Sequence, residues 1–193
     1  MPEEKNIIVM QFPENSKAFE ALSEMKGQPG VISLAVAERT SDGQVRVADG
    51  YSQTLGSGIA VGGLVGALIG VIAGPLGVLL GWSSGALFGA VVDSDQAADA
   101  DDGFTVLSKS IPPGGNALFV EMHETSHAIA DDLNAKLKGT ITRVPAAEVE
   151  AEVVAAQQAA RAAAAEAGRA RRAERQAGFK ERLSALVHHE KSD

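Results

Sequence analysis

The chain has 193 residues, a formal net charge of −8 and no cysteine. That length holds one ordinary domain and an appendage. The acidic balance disfavours general nucleic-acid binding, and the lack of cysteine excludes disulfides, thiolate catalysis and thiolate zinc sites. Aromatic residues are only 4 % of the chain while alanine and glycine abound, so close packing of backbones replaces filling by large side chains. The polar, acidic start (Met1-Pro2-Glu3-Glu4-Lys5) does not read as a secretory signal, which sets the expected location at a cytoplasm or the cytoplasmic face of a membrane. The alanine and arginine usage suggests a GC-rich bacterial genome.

Asn6 to Phe12 (NIIVMQF) is an apolar run bounded by Pro13 and is expected to be a buried strand. Asn15 or Ser16 can cap a helix with Phe19, Leu22 and Met25 on one face, ended by Gly27, Pro29 and Gly30. Val31 to Glu38 (VISLAVAE) is a second strand. Ser41-Asp42-Gly43 turns the chain into Gln44 to Ala48 (QVRVA), a third.

From Gly50 to Val92 no residue is charged. Gly58, Gly62, Gly66, Gly70 and Gly74 recur every fourth residue, and Gly77, Gly81, Gly85 and Gly89 do so again after Gly74-Pro75. Proline cannot continue one helix but can open the next, so Gly74 and Pro75 mark the turn of a helical hairpin. Each glycine costs roughly 1 kcal/mol relative to alanine in an isolated helix. A ladder of nine is expected to recover that cost by letting helices approach closely. Ile59, Leu64, Val65, Leu68, Ile69 and Ile72 on leg one, with Leu79, Leu80, Leu87, Phe88 and Val91 on leg two, are expected to face lipid or another copy. Each leg is about 17 residues, roughly 25 Å, against a hydrocarbon core of about 30 Å. No lysine or arginine flanks either end, so the usual orientation signal is absent.

Beyond the hairpin lies an acidic patch (Asp93, Asp95, Asp99, Asp101, Asp102), then an amphipathic piece from Phe104 to Ile111 stopped by Pro112-Pro113-Gly114-Gly115. Asn116 to Met122 (NALFVEM) is again a buried strand. Thr125 or Ser126 can cap a helix bearing Ile129, Leu133 and Leu137, Gly139 ends it, and Thr140 to Val144 is the last strand. NIIVMQFPENSKAFEAL aligns with NALFVEMHETSHAIADDL, a strand–helix–strand unit used twice. From Pro145 the chain is expected to form one helix of roughly forty residues, about 60 Å long. It is acidic at first (Glu148, Glu150, Glu152) and basic later (Arg161, Arg169, Arg171, Arg172, Arg175, Lys180, Arg182), an order that suits the helix dipole.

The expected architecture is therefore α+β, a ferredoxin-like α/β sandwich interrupted by a glycine-zipper hairpin and followed by a long C-terminal helix. Residues 1–50 are the first half of the α/β domain, 51–95 the hairpin, 96–145 the second half and 146–193 the alanine- and arginine-rich helix.

Other motifs are better explained as structure than as chemistry. His123-Glu124-Thr125-Ser126-His127 matches the H-E-x-x-H zinc-peptidase pattern, which needs both imidazoles one turn apart on one helix. Here His123 follows a strand and Thr125 or Ser126 looks like a helix cap, so a surface loop is the better account. The basic tail interleaves Glu166, Glu174 and Glu181, which favours a solvated face over a nucleic-acid arm. Val149, Val153, Ala156, Ala160, Ala163 and Ala167 alternate by four and three, as in a helix–helix seam. His188-His189 are expected to be solvated, and no phosphate-cradling glycine loop is present.

Taken together, VISLAVAERTSDGQVRV, the glycine hairpin, DDGFTVLSKSIPPGGNALFVEM and the closing GTITRV resemble domain-of-unknown-function family 1269, predicted bacterial membrane proteins with a glycine-rich apolar hairpin. The resemblance covers about residues 6 to 155, with PPGGNALFV its most specific step. It implies a fold with a glycine-rich apolar hairpin and a stress-related role, and no activity, cofactor or catalytic residue; the alanine- and arginine-rich tail goes beyond the common core. The expected function is a non-enzymatic, membrane-associated protein that homo-oligomerises through Gly58, Gly62, Gly66, Gly70, Gly74, Gly77, Gly81, Gly85 and Gly89. Its expected partners are other copies and the inner-membrane bilayer, with the α/β domain on the cytoplasmic side and with no small-molecule substrate, metal or nucleic acid. The alternative is a soluble, self-assembling cytoplasmic scaffold or compartment protein whose hairpins bury one another. A zinc metallopeptidase through His123, Glu124 and His127 is the remote one.

Overall fold

A computed structural model describes residues 4–53, 56–57, 62–73, 107 and 110–189. In chain order the elements are β1 (Glu4–Gln11), α1 (Asn15–Met25), β2 (Val31–Arg39), β3 (Val45–Ser52), β4 (Gly56–Ser57), α2 (Gly63–Ala73), β5 (Asn116–Glu124), α3 (Ala128–Lys136), β6 (Thr140–Pro145) and α4 (Ala146–His189). The fold is α+β. Five main strands and the two-residue β4 form one antiparallel sheet in the order β4-β3-β2-β5-β1-β6.

The register explains which side chains share a face. Ile8 stands opposite Val120 and Met10 opposite Leu118, while Leu34 and Val36 meet the same two residues from β2. These side chains form one core with Ala18, Ala21, Leu22 and Met25 of α1 and Ala130 and Leu133 of α3. Successive strand residues point to opposite faces, so Ile7, Val9, Ala35, Ala37, Ala117 and Phe119 form the other face, and all six are buried as well. Strands buried on both faces read as unbroken apolar runs, which is why NIIVM and SLAVA show no alternation.

The second face is covered in part by α2, which lies against β2, β3 and β5. Leu64, Val65, Leu68, Ile69, Val71 and Ile72 of α2 are all buried. For Leu64, Val65, Leu68, Ile69 and Ile72 this corrects the expectation of lipid or another copy, because this domain's own sheet supplies the apolar surface. Burying one such side chain stabilises by roughly 1.5–3 kcal/mol. The sheet also reaches further than expected, since β3 runs through Tyr51 and Ser52 and these pair with Ser57 and Gly56 of β4. Residues assigned from sequence to the start of the hairpin thus belong to the sheet edge.

The chain divides into two compact units, Met1–Val154 and Ala155–Asp193. In the first, α4 begins with Ala146, Val149 and Val153 buried. In the second, the side chains described from Ala155 onward are exposed or half-buried. A helix with no buried face adds little to the stability of a neighbouring core. Deleting residues 160–193 is therefore expected to leave the melting temperature of the α/β unit within a few degrees of the full chain, measured by circular dichroism. Unfolding of the truncated protein would contradict the division.

Candidate functional site

The strand β5 carries one buried carboxylate on each face of the sheet. Glu121 is 2 % exposed and Glu124 is 3 % exposed. A buried carboxylate is tolerated only when its oxygens receive hydrogen bonds or a counter-charge, and both are supplied.

Glu121 lies on the α2 face. Its Oε1 pairs with Lys5 Nζ at 2.7 Å. Its Oε2 accepts hydrogen bonds from Ser33 Oγ at 2.8 Å and from the backbone amide of Leu64 at 2.9 Å. The Leu64 amide belongs to the first turn of α2, so Glu121 caps that helix from another part of the chain, where the unpaired amides and the helix dipole both favour an anion. Gly63 makes the approach possible. Its φ is +72°, and a Cβ built there would sit 2.6 Å from Glu121 Oε2 and 3.2 Å from Ser33 Oγ. Burial pushes the Glu121 carboxyl up, but the hydrogen bonds from Lys5, Ser33 and the Leu64 amide outweigh it and hold the group below its ordinary range. His123 lies two residues along the same strand, on the same face, with Lys5 as its partner in register.

Glu124 lies on the opposite face, among β1, β6 and α3. It accepts from Asn6 Nδ2 at 2.9 Å and from Arg143 Nε at 3.1 and 3.2 Å. The same guanidinium donates to Asp131 Oδ1 at 2.6 Å and to the His127 carbonyl at 3.4 Å. A shallow cleft of about 710 Å³ opens beside this cluster, lined by Glu4, Glu124, Thr125, Ser126, His127, Asp131 and Asp132 among others.

The H-E-x-x-H residues fall across these elements. His123 and Glu124 end β5, while His127 immediately precedes α3, with Ser126 Oγ accepting from the Ala128 amide at 3.2 Å. The two imidazoles therefore do not share a helix, and the Glu124 carboxylate is occupied by Arg143 and Asn6. Among the described residues, no group of three or more His, Cys, Asp or Glu side chains is placed to hold a metal ion.

Of the glycine ladder, Gly66 and Gly70 lie on α2 and Gly62 just before it. Gly58, Gly74, Gly77, Gly81, Gly85 and Gly89, with the turn at Pro75, lie outside the described residues. Because the aliphatic side of α2 is buried, the glycine side turns away from the sheet. Gly66 and Ala67 are half-buried, and Gly70 and Ala73 are exposed. An added Cβ at Gly70 meets no atom within 4 Å. Among the described residues no helix is long and apolar enough to cross a membrane. His188 and His189 close α4. The sequence reading did not assign Lys5, Ser33, Gly63 or Glu121 to a joint role. The available signal was a single acidic residue inside the apolar run NALFVEM.

Comparison of the chain with protein-family models, curated proteins and solved structures finds no match.

Two outcomes follow from this geometry. A carboxyl whose folded pKa lies below the ordinary 4.5 stabilises the fold above that value and loses the contribution as pH falls through the folded pKa. The urea midpoint of Glu121→Gln should therefore lie below that of the parent near neutral pH, with a cost of about 2–3 kcal/mol, and the gap should close in acid below 4.5. A gap independent of pH would contradict the role of the charge. Replacing His123 and His127 together by alanine should leave fold and assembly intact. Stoichiometric zinc in the parent protein, lost in the double variant, would reinstate a metal site.

Proposed function

We propose that the protein is a non-enzymatic, self-associating protein in which the glycine side of α2 is the contact between copies. The observation that carries this reading is the orientation of α2. Its six large aliphatic residues are buried, while Gly66, Ala67, Gly70 and Ala73 remain toward the outside. A helix face of small residues lets a second helix approach closely, and the gain is dense van der Waals contact with Cα–H···O bonds. The occupant proposed is the same face of a second copy, since identical surfaces close a two-fold pair without further partners.

The finer fold reading belongs to the same proposal. The strand order β2-β5-β1-β6, taken without the β3–β4 extension, and the position of α1 and α3 on one face support a ferredoxin-like sandwich. On this reading the insertion between β4 and β5 carries the zipper hairpin, and the kinship with family 1269 rests on the sequence stretches that suggested it.

Two settings remain for the assembly. Burial of the aliphatic side of α2 on the sheet favours a water-soluble assembly. The absence of any charge from Gly50 to Val92 favours membrane association of the hairpin and is the basis of the second reading. Carbonate-washed membrane fractions separate them.

Gly70 gives a direct test, because the described structure has room there for a side chain. Gly70→Ala should stabilise an isolated protomer by up to about 1 kcal/mol, the helix-propensity difference. Gly70→Leu should keep the secondary structure and melting behaviour of the protomer yet lower the particle mass in sedimentation. An unchanged mass for both Gly70→Leu and Gly66→Leu would remove the glycine face as the interface.

A further inference from the structure

We propose that the Glu121 cluster is an autoinhibitory latch: it holds the aliphatic face of α2 on the sheet and so withholds that face from a lipid bilayer. The inference goes beyond self-association, because it concerns the opposite side of the same helix and the choice between two seats for it.

The sheet and a bilayer compete for the same surface. Leu64, Val65, Leu68, Ile69, Val71 and Ile72 are buried in the docked arrangement, and a helix lying against β2, β3 and β5 cannot turn those residues toward lipid. Insertion of α2 therefore requires it to leave the sheet. Either seat buries the aliphatic side chains of α2, but leaving the sheet also uncovers part of its second face, where Ala35 and Phe119 are buried, so apolar burial favours the docked seat. The polar contacts add to that preference and fix the position of the helix. In the docked seat Glu121 receives Lys5 Nζ, Ser33 Oγ and the Leu64 amide, from β1, β2 and α2. Departure of α2 takes away the Leu64 amide and exchanges a charge-assisted hydrogen bond within the protein for one to water. Hydrogen bonds to a charged group are about twice as strong as neutral ones. Gly63 adds specificity, because its left-handed backbone and missing Cβ let α2 start against the carboxylate in this one position.

Among the described residues the charged and titratable groups around the latch are Glu121 and His123 on β5 and Lys5 on β1, with the Ser33 hydroxyl from β2. Lys5 has 39 % of its side chain exposed, so any change that draws it off weakens the latch from the solvent side. The latch is thus open to control by an anionic surface or partner at Lys5 without disturbance of the core on the other face.

The test uses the full chain with vesicles of phosphatidylcholine alone. Glu121→Gln preserves the shape of the side chain and removes its charge, and Ser33→Ala removes one donor with little change in volume. Glu124→Gln, in the buried cluster on the opposite face, controls for general loosening. Hydrogen exchange of Leu64–Ile72 amides in water is expected to quicken about tenfold or more in Glu121→Gln relative to α1 amides, the loss of one charge-assisted hydrogen bond. The vesicle-bound fraction should rise several-fold in parallel, with a smaller rise for Ser33→Ala and none for Glu124→Gln. Unchanged α2 exchange in both latch variants, faster exchange without vesicle binding, or equal binding by Glu124→Gln would each overturn the latch. Particle mass of the Gly70 variants in water reports on self-association separately, so failure of one proposal is not mistaken for failure of the other.

Discussion

A carboxylate enclosed by a sheet covered on both sides constrains everything packed around it. Glu121 cannot shed its charge into solvent, so the chain must bring donors to it, and these come from three separate stretches: β1, β2 and the start of α2. The consequence is topological as much as energetic. Lys5 and Ser33 belong to the first half of the α/β unit, Glu121 to the second, and Leu64 to the insertion between them. One side chain therefore fixes where the insertion begins relative to the sheet. A well-packed apolar residue could stabilise the same position equally well. What a carboxylate adds is direction: it binds a helix N-terminus and rejects a helix C-terminus.

Glu124 repeats the logic on the other face with different partners. Arg143 bridges it to Asp131 and to the His127 carbonyl, joining β5, β6 and the approach to α3. The planar guanidinium suits this task because its fork can satisfy several acceptors at once. Within the H-E-x-x-H stretch Glu124 accepts from Arg143, and Ser126 Oγ accepts from the Ala128 amide at the start of α3. The apparent motif spans a strand end and a helix start, and its spacing has no common face on which to place ligands.

Much of the sheet was legible because its strands are short apolar runs punctuated by proline and glycine. Asn116 does open its strand and the long helix does begin at Ala146, whereas the helix expected to end at Gly139 stops at Lys136. The seat of α2 was not read, although NIIVM and SLAVA held the clue. A sheet with one face in water would alternate, and unbroken runs demand a cover on the second face. The aliphatic residues of α2 and those runs are two halves of one interface, separated by enough chain that local periodicity could not connect them. The Glu121 cluster was illegible for a related reason. Lys5, Ser33 and Glu121 meet only through strand register, and register across 88 residues depends on the whole sheet.

The glycines on and around α2 divide by what the described structure asks of each. Gly63 is required within the chain, since its φ of +72° and the 2.6 Å approach to Glu121 Oε2 leave no place for a side chain. Gly70 has no such reason, since an added Cβ there would meet nothing within 4 Å. A glycine in a helix interior costs roughly 1 kcal/mol against alanine, and among the described residues nothing at Gly70 offsets that cost. Close approach is the one benefit a missing Cβ confers at an unstrained helical position. The exposed glycine therefore favours an external helix-packing contact, while the buried aliphatic side accounts for how α2 is held in position to make it.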